Sequence, residues 1–233
     1  MFKHNILLIV AKRNCLLTLL PLVLTFFSLF SSYSLANRAI EPPHNAKKES
    51  YFYAPNILIH VDNFGQAIKL FKWLDLIKLT NIGHQTLQSI DSSGHQLVIY
   101  HSDSALLSAG VTGAPLSSNL TNGKGESVYI KFYLNMEFAG SNCVMGKSGK
   151  YIKFSAIENL FHELVHAKHK MNGTWLYFDS EGQAIREENK FRKEWSIYRS
   201  TEVALRSEYG DRGDVKFNRN NRCVTRFSQL ENN

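Results

Sequence analysis

Residues 155–173 read SAIENLFHELVHAKHKMNG, and the spacing within them decides what can be built around them. Ser155 and Glu158 stand as a capping box does: the serine oxygen accepts from the backbone N–H three residues on, and the glutamate reaches back to the cap's own N–H. Asn172-Gly173 supplies a stop, because glycine takes the left-handed conformation that closes a helix without steric cost. The stretch therefore predicts a helix from about Ala156 to Met171 with His162 and His166 in its middle. Leu160, Phe161, Leu164, Val165 and Ala167 make nearly the whole helix surface apolar, so it should be a central, buried element.

Within that helix lies His162-Glu163-Leu164-Val165-His166, an H-E-x-x-H sequence. Residues four apart share one helix face about 6 Å apart, so the two imidazoles can converge on one ion. Glu163 is too far round the helix to join them but can reach a water beside the ion and act as general base. With 9 His in the chain, and 13 Glu, the motif would arise by chance about 0.02 times, which makes it suggestive by itself. Burial adds weight, because two histidines and a glutamate in an apolar setting are costly without a partner and a Zn2+ ion is the simplest one.

A third ligand is needed. His169 lies near the same face but seven residues from His162, a rise of roughly 10 Å, and no glycine stands at Ala167 or Lys168 to turn the chain back. A structural role suits His169 better. A following helix is expected from about Gly182 to Tyr198 with an apolar stripe of Ala184, Phe191, Trp195 and Tyr198, and Glu188 completes that stripe. A carboxylate on a buried stripe wants a cation, so Glu188 is the expected third metal ligand, with Glu187 and Glu181 as alternatives. Glu187 shares an outward face with Lys190 and Glu194.

The chain has 233 residues, 44% hydrophobic and 20% charged, with 12% aromatic residues and only 14 Gly and 5 Pro, which excludes disordered and low-complexity classes. Residues 1–36 differ from the rest. Lys3, Lys12 and Arg13 precede a mostly apolar run from Cys15 to Phe30, and Ser34-Leu35-Ala36 follows, the pattern of a secretory signal peptide. The competing reading is an uncleaved anchor, for which the run falls slightly short of the roughly 20 residues that span a bilayer. Export is the expectation in either case. Removal of residues 1–36 leaves 24 basic and 20 acidic side chains, a mild excess that gives no reason to propose a nucleic acid partner. Contact with a membrane is expected only through an uncleaved N-terminal segment. Cys143 and Cys223 can pair in an oxidising compartment or remain two buried thiols.

Residues 37–55, with Pro42-Pro43 and Pro55, read as a linker, and 56–233 as one domain. Asn56 to Val61 is a candidate strand. Asp62 is expected to cap a helix carrying Phe64, Ala67, Ile68, Phe71, Leu74 and Ile77 and ending near Gly83. Thr86 to Ser102 reads as a hairpin around Asp91-Ser92-Ser93-Gly94, Ser108 to Gly125 as a loop, and Ser127 to Leu134 and Tyr151 to Phe154 as neighbouring strands. The expected fold is α+β: a zincin-like single domain with a small antiparallel sheet and a buried H-E-x-x-H helix.

The run His162-Glu163-Leu164-Val165-His166-Ala167-Lys168-His169, with Gly173 four further on, resembles the metal helix of clostridial neurotoxin light chains and of NleD-type bacterial effector zinc metalloproteases. The resemblance implies that the second member of a later Glu-Glu pair is the third zinc ligand, which falls on Glu188. Thr201-Glu202-Val203-Ala204-Leu205-Arg206, followed by Glu208, Gly210 and Arg212, is similar to a further segment of the effector family. That implies an outer role for Glu202 and an oxyanion-stabilising, catalytic role for Arg212. No tyrosine follows Arg212, where relatives carry one, and Phe217 stands in that neighbourhood. The resemblance spans about residues 125 to 215 and implies a protein or peptide substrate, with host signalling proteins as the class such effectors cut.

The resulting expectation is a secreted, monomeric zinc endopeptidase that hydrolyses peptide bonds with metal-activated water, with Glu163 and Arg212 catalytic and His162, His166 and Glu188 on the metal. It would be a bacterial effector or toxin, periplasmic, extracellular or delivered into host cells. The competing reading is a secreted non-catalytic binding or toxin module with a structural metal site. Such a site would be closed by a fourth protein ligand such as His169 or Asp179.

Overall fold

Leu97–His101 runs through the middle of a five-stranded sheet, and all five of its side chains are buried. A strand covered on both faces needs this continuous apolar sequence, LVIYH. The computed structural model that shows it describes residues 49–102, 110–134, 142–208, 215–217 and 223–225. The sheet is built from β1 (Glu49–Ala54), β2 (Ile57–Val61), β3 (Leu97–His101), β4 (Gly110–Gly113) and β5 (Val128–Phe132), in the order β1-β2-β3-β5-β4. β2, β3 and β5 are parallel, while β1 and β4 run antiparallel on the two edges. One rung crosses all five strands: Tyr51, Ile59, Ile99, Ile130 and Thr112. Paired residues share a face, so the core-facing isoleucines fix which way Thr112 points at the edge.

Four helices are described. α1 (Phe64–Lys78) and α2 (Asn81–Asp91) connect β2 to β3, and α3 (Ala156–Met171) and α4 (Ser180–Arg199) follow the sheet. In α1 the residues Ala67, Leu70, Trp73, Leu74 and Ile77 recur at helical spacing and are buried. Its cap is Asn63 rather than Asp62, with the Asn63 side chain accepting from Gln66 N at 3.1 Å. α1 ends at Lys78, before Gly83, because Thr80 starts a second helix by accepting from Gly83 N at 3.1 Å. That second helix replaces the expected hairpin. Gly83, Thr86, Leu87 and Ile90 lie three and four apart and are buried together, and β3 pairs in parallel with its neighbours. Asp91 holds the chain at Asn56 instead, accepting from Asn56 N at 2.8 Å.

Other expectations shift as well. Residues 49–54 of the proposed linker form β1, whose Tyr51 and Phe52 pair with Ile59 and Leu58 of β2 before a bulge at Tyr53. The proposed loop at 108–125 contains β4 and a 3₁₀ turn at Ser118–Leu120. β5 and Tyr151–Phe154 are not neighbours. The latter is β7 and pairs with β6 (Asn142–Met145) in a second sheet of order β7-β6-β8-β9, with β8 at Val215–Phe217 and β9 at Cys223–Thr225. The five-stranded sheet is therefore mixed and the four-stranded one antiparallel. Cys143 on β6 is disulfide-bonded. The side chain of Cys223 lies outside the described residues, as do the signal or anchor segment at 1–36 and residues 37–48 of the linker.

The described residues belong to one α+β unit, and α3 is its central helix. α3 carries the capping box, with Glu158 Oε2 accepting from Ser155 N at 2.7 Å. Twelve of its 16 residues are buried, against α4, α2 and the β4–β5 edge of the large sheet. Gly173, at φ 65°, turns the chain out of α3, and a Cβ there would lie 2.6 Å from the backbone nitrogens of Gly123 and Lys124. No helix among the described residues is long and apolar enough to cross a membrane.

Candidate metal centre

Two turns of α3 and the first turn of α4 bring three donor side chains together: His162, His166 and Glu181. Nε2 of His162 lies 3.1 Å from Nε2 of His166. The Glu181 carboxylate spans both rings, with Oε2 3.5 Å from His162 Nε2 and Oε1 3.2 Å from His166 Nε2. These separations, two of which end on different Glu181 oxygens, are close to the tetrahedral edge of about 3.4 Å expected for ligands about 2.1 Å from a zinc ion. Two imidazoles and a carboxylate are also the donor set of catalytic zinc sites. His162 and His166 are buried, whereas Glu181 is 54% exposed, so one side of the group opens outward.

Glu188, the expected third ligand, stands elsewhere. It is fully buried, as the stripe on α4 requires, but its Oε2 meets Nδ1 of His162 at 2.9 Å, across the ring from Nε2. The cation it needs is arginine. Arg192, one turn on, donates to Oε1 at 2.7 Å, and Arg206 donates to Oε2 at 2.8 Å. Burial would raise the Glu188 pKa, yet Arg192, His162 and Arg206 hold it at about 2. An ionised carboxylate only accepts, so Nδ1 of His162 carries a hydrogen and Nε2 is the ring atom left for a metal. Glu188 thus orients a histidine and sets its tautomer. Burial lowers the His166 pKa, while at His162 the bonds to Glu181 and Glu188 outweigh burial and raise it.

Glu163 is buried on the next position of α3 and takes no part in the triangle. The Thr112 hydroxyl lies 2.6 Å from Glu163 Oε2 and 3.0 Å from the Glu163 carbonyl oxygen. This contact follows from the rung that aims Thr112 at the helical side of the sheet. Two residues earlier, Gly110 leaves room, since a Cβ there would lie 2.6 Å from Glu163 Cγ. A cavity of about 170 Å³ opens between β4, the side chains of Glu163, His166 and Lys170, and Trp175 with Glu181.

The remaining candidates take other places. Arg212 lies outside the described residues. Glu202 is exposed, and the carboxylate that meets Nδ1 of His162 is that of Glu188. From the same segment it is Arg206 that enters the core, where Asn189 Nδ2 donates to its carbonyl at 2.9 Å and Asn189 Oδ1 accepts from its N–H at 2.7 Å. Glu187 is not a solvated face residue. It accepts from Lys168 and meets His169 Nε2 at 2.8 Å, and these partners outweigh burial to bring its pKa to about 2. His169 is engaged there and Asp179 with Arg186, so neither joins His162, His166 and Glu181.

No protein-family model matches the sequence, and no curated protein matches it. Among solved structures the chain is similar to the light chain of botulinum neurotoxin type G, at 11% identity and a TM-score of 0.45, over 84% of this chain and 73% of that one. It is similar to the zinc-removed apo form of the type C light chain at 10% identity and a TM-score of 0.43, over 81% and 75%. For the serotype HA light chain the values are 10% identity and 0.34, over 71% and 59%.

Proposed function

We propose that the protein is a zinc-dependent endopeptidase in which His162, His166 and Glu181 hold the metal and Glu163 is the general base. The observation that carries this reading is the triangle of two Nε2 atoms and one carboxylate, with a second buried carboxylate beside it that is not part of it. A structural site has no use for Glu163, and no fourth protein ligand joins the three among the described residues. Zinc, when bound, supplies Lewis acidity that acidifies water and polarises a carbonyl. Glu163 takes the proton of the attacking water on its carboxylate, the hydroxyl adds to the scissile carbon, and Glu163 returns the proton to the departing amine nitrogen. Thr112 steadies that carboxylate, and Glu188 keeps His162 in the metal-binding tautomer.

The finer reading rests on motif resemblance to NleD-type effectors and on the character of residues 1–36. The chain is exported, acts as a monomeric bacterial effector or toxin on host proteins, signalling proteins among them, and uses Arg212 to stabilise the oxyanion. Terminal-peptide profiling of host-cell lysate treated with full-length protein or with Glu163→Gln tests the enzymatic core. New N-termini are expected with the wild type alone. Equal profiles from the two proteins would contradict it.

A further inference from the structure

Among the described residues three cations are buried: Arg192, Arg206 and Lys170. A buried charge is costly without a counter-charge, and Glu188 answers both arginines. Lys168, on the last turn of α3, pairs with Glu187. Lys170 has no ion pair with a carboxylate among the described residues. Its Nζ donates to the Thr112 carbonyl at 2.9 Å and lies 5.0 Å from the centre of the Trp175 ring. An ammonium has three N–H donors: the carbonyl takes one, the ring face a second, and a third is left. The Trp175 ring packs against that ammonium while its own Nε1 is buried. Both residues line the cavity that also contains Glu163, His166 and Glu181.

We propose that this cavity is a subsite for an acidic residue of the substrate, with Lys170 pairing its carboxylate. The inference rests on the endopeptidase reading. Lys170 follows His166 by one helical turn, about 6 Å along α3, and a substrate residue spans about 3.3 Å. The recognised Asp or Glu therefore lies within two residues of the scissile bond. Two carboxylates also line the cavity and act on Lys170 through space, Glu163 and Glu181, which the proposed function assigns to the base and the metal; Gly110, Val111, Thr112 and Ser180 carry no charge.

The test is terminal-peptide profiling with full-length wild type, Lys170→Glu and Glu163→Gln, followed by kcat/KM on peptide pairs that carry Glu or Gln at the enriched position. Wild type is expected to cleave with Asp or Glu enriched at one position beside the scissile bond and to prefer the Glu peptide by about tenfold or more. Lys170→Glu is expected to move the enrichment to Lys or Arg, a change that a purely structural lysine would not produce. If that variant fails to fold, the wild-type Glu-to-Gln ratio decides alone. Cleavage without acidic enrichment, or equal rates on the two peptides, overturns the subsite and leaves the protease standing. Profiles identical between wild type and Glu163→Gln overturn both.

Discussion

The Glu188 carboxylate meets His162 at Nδ1, while the same ring turns its Nε2 to His166 and Glu181. Two glutamates seven residues apart on one helix thus serve opposite edges of one imidazole. Substitution should separate them. Glu181→Ala removes an exposed side chain and is expected to change metal-free stability by no more than about 0.5 kcal/mol while weakening zinc binding by about a hundredfold or more. Glu188→Ala takes a buried carboxylate from Arg192, which keeps Glu158, and from Arg206, and is expected to cost about 3–5 kcal/mol. Denaturant unfolding in chelator and zinc titration measure the two effects, and the reverse pattern would return the ligand role to Glu188.

The edge strand β4 places the base. A Cβ at Gly110 would lie 2.6 Å from Glu163 Cγ, so Gly110→Ala is expected to displace the carboxylate, keep the zinc and lower kcat by about a hundredfold. Thr112→Val removes the hydroxyl beside Glu163 Oε2 and should lower kcat by about tenfold with KM little changed, and Thr112→Ser should restore it. Steady-state kinetics with zinc content measured in parallel checks both.

Acid should weaken the fold through Glu187 and Glu188. Each has a folded pKa near 2 against an ordinary 4.5, so the stability they contribute is full above about pH 4.5 and is lost as pH falls toward 2. Glu187→Gln is expected to be less stable than wild type at pH 7 and to show a shallower decline between pH 4.5 and 2. Chemical denaturation at a series of pH values gives the slopes, and parallel slopes would contradict the assignment.

Gly173 is held at φ 65° against the 119–124 segment, where a Cβ would lie 2.6–2.7 Å from three backbone atoms. Gly173→Ala is therefore expected to cost more than the roughly 1 kcal/mol of an ordinary left-handed substitution. A thermal melt beside wild type measures it.

The α3 helix, its cap, its stop and its buried histidine pair are legible in residues 155–173 because every determinant is local to that stretch. Glu188 was legible as a buried carboxylate, since its position on the Ala184–Phe191–Trp195 stripe is periodic. Its partner was not. Arg206 arrives from a separate segment that Asn189 clamps, and nothing in its spacing from Glu188 announces the contact. Glu181 stood only as an alternative for a related reason: it sits on an exposed first turn, and only the packing angle of α4 on α3 brings it to the imidazoles. Thr112 and Lys170 depend on the sheet edge, whose strand occupies a Gly-, Ser- and Thr-rich stretch that reads as loop. The helix α2 carries Ser89-Ile90 before a turn, and β-prone residues there were outweighed by the Thr80 cap and the burial of one helical face.

His162, His166 and Glu181 are proposed to bind one zinc ion. Elemental analysis of the purified full-length protein after exhaustive dialysis tests it most directly. About one equivalent of zinc per chain is predicted, falling below a tenth in Glu181→Ala. Less than a tenth of an equivalent in the wild type would contradict the account.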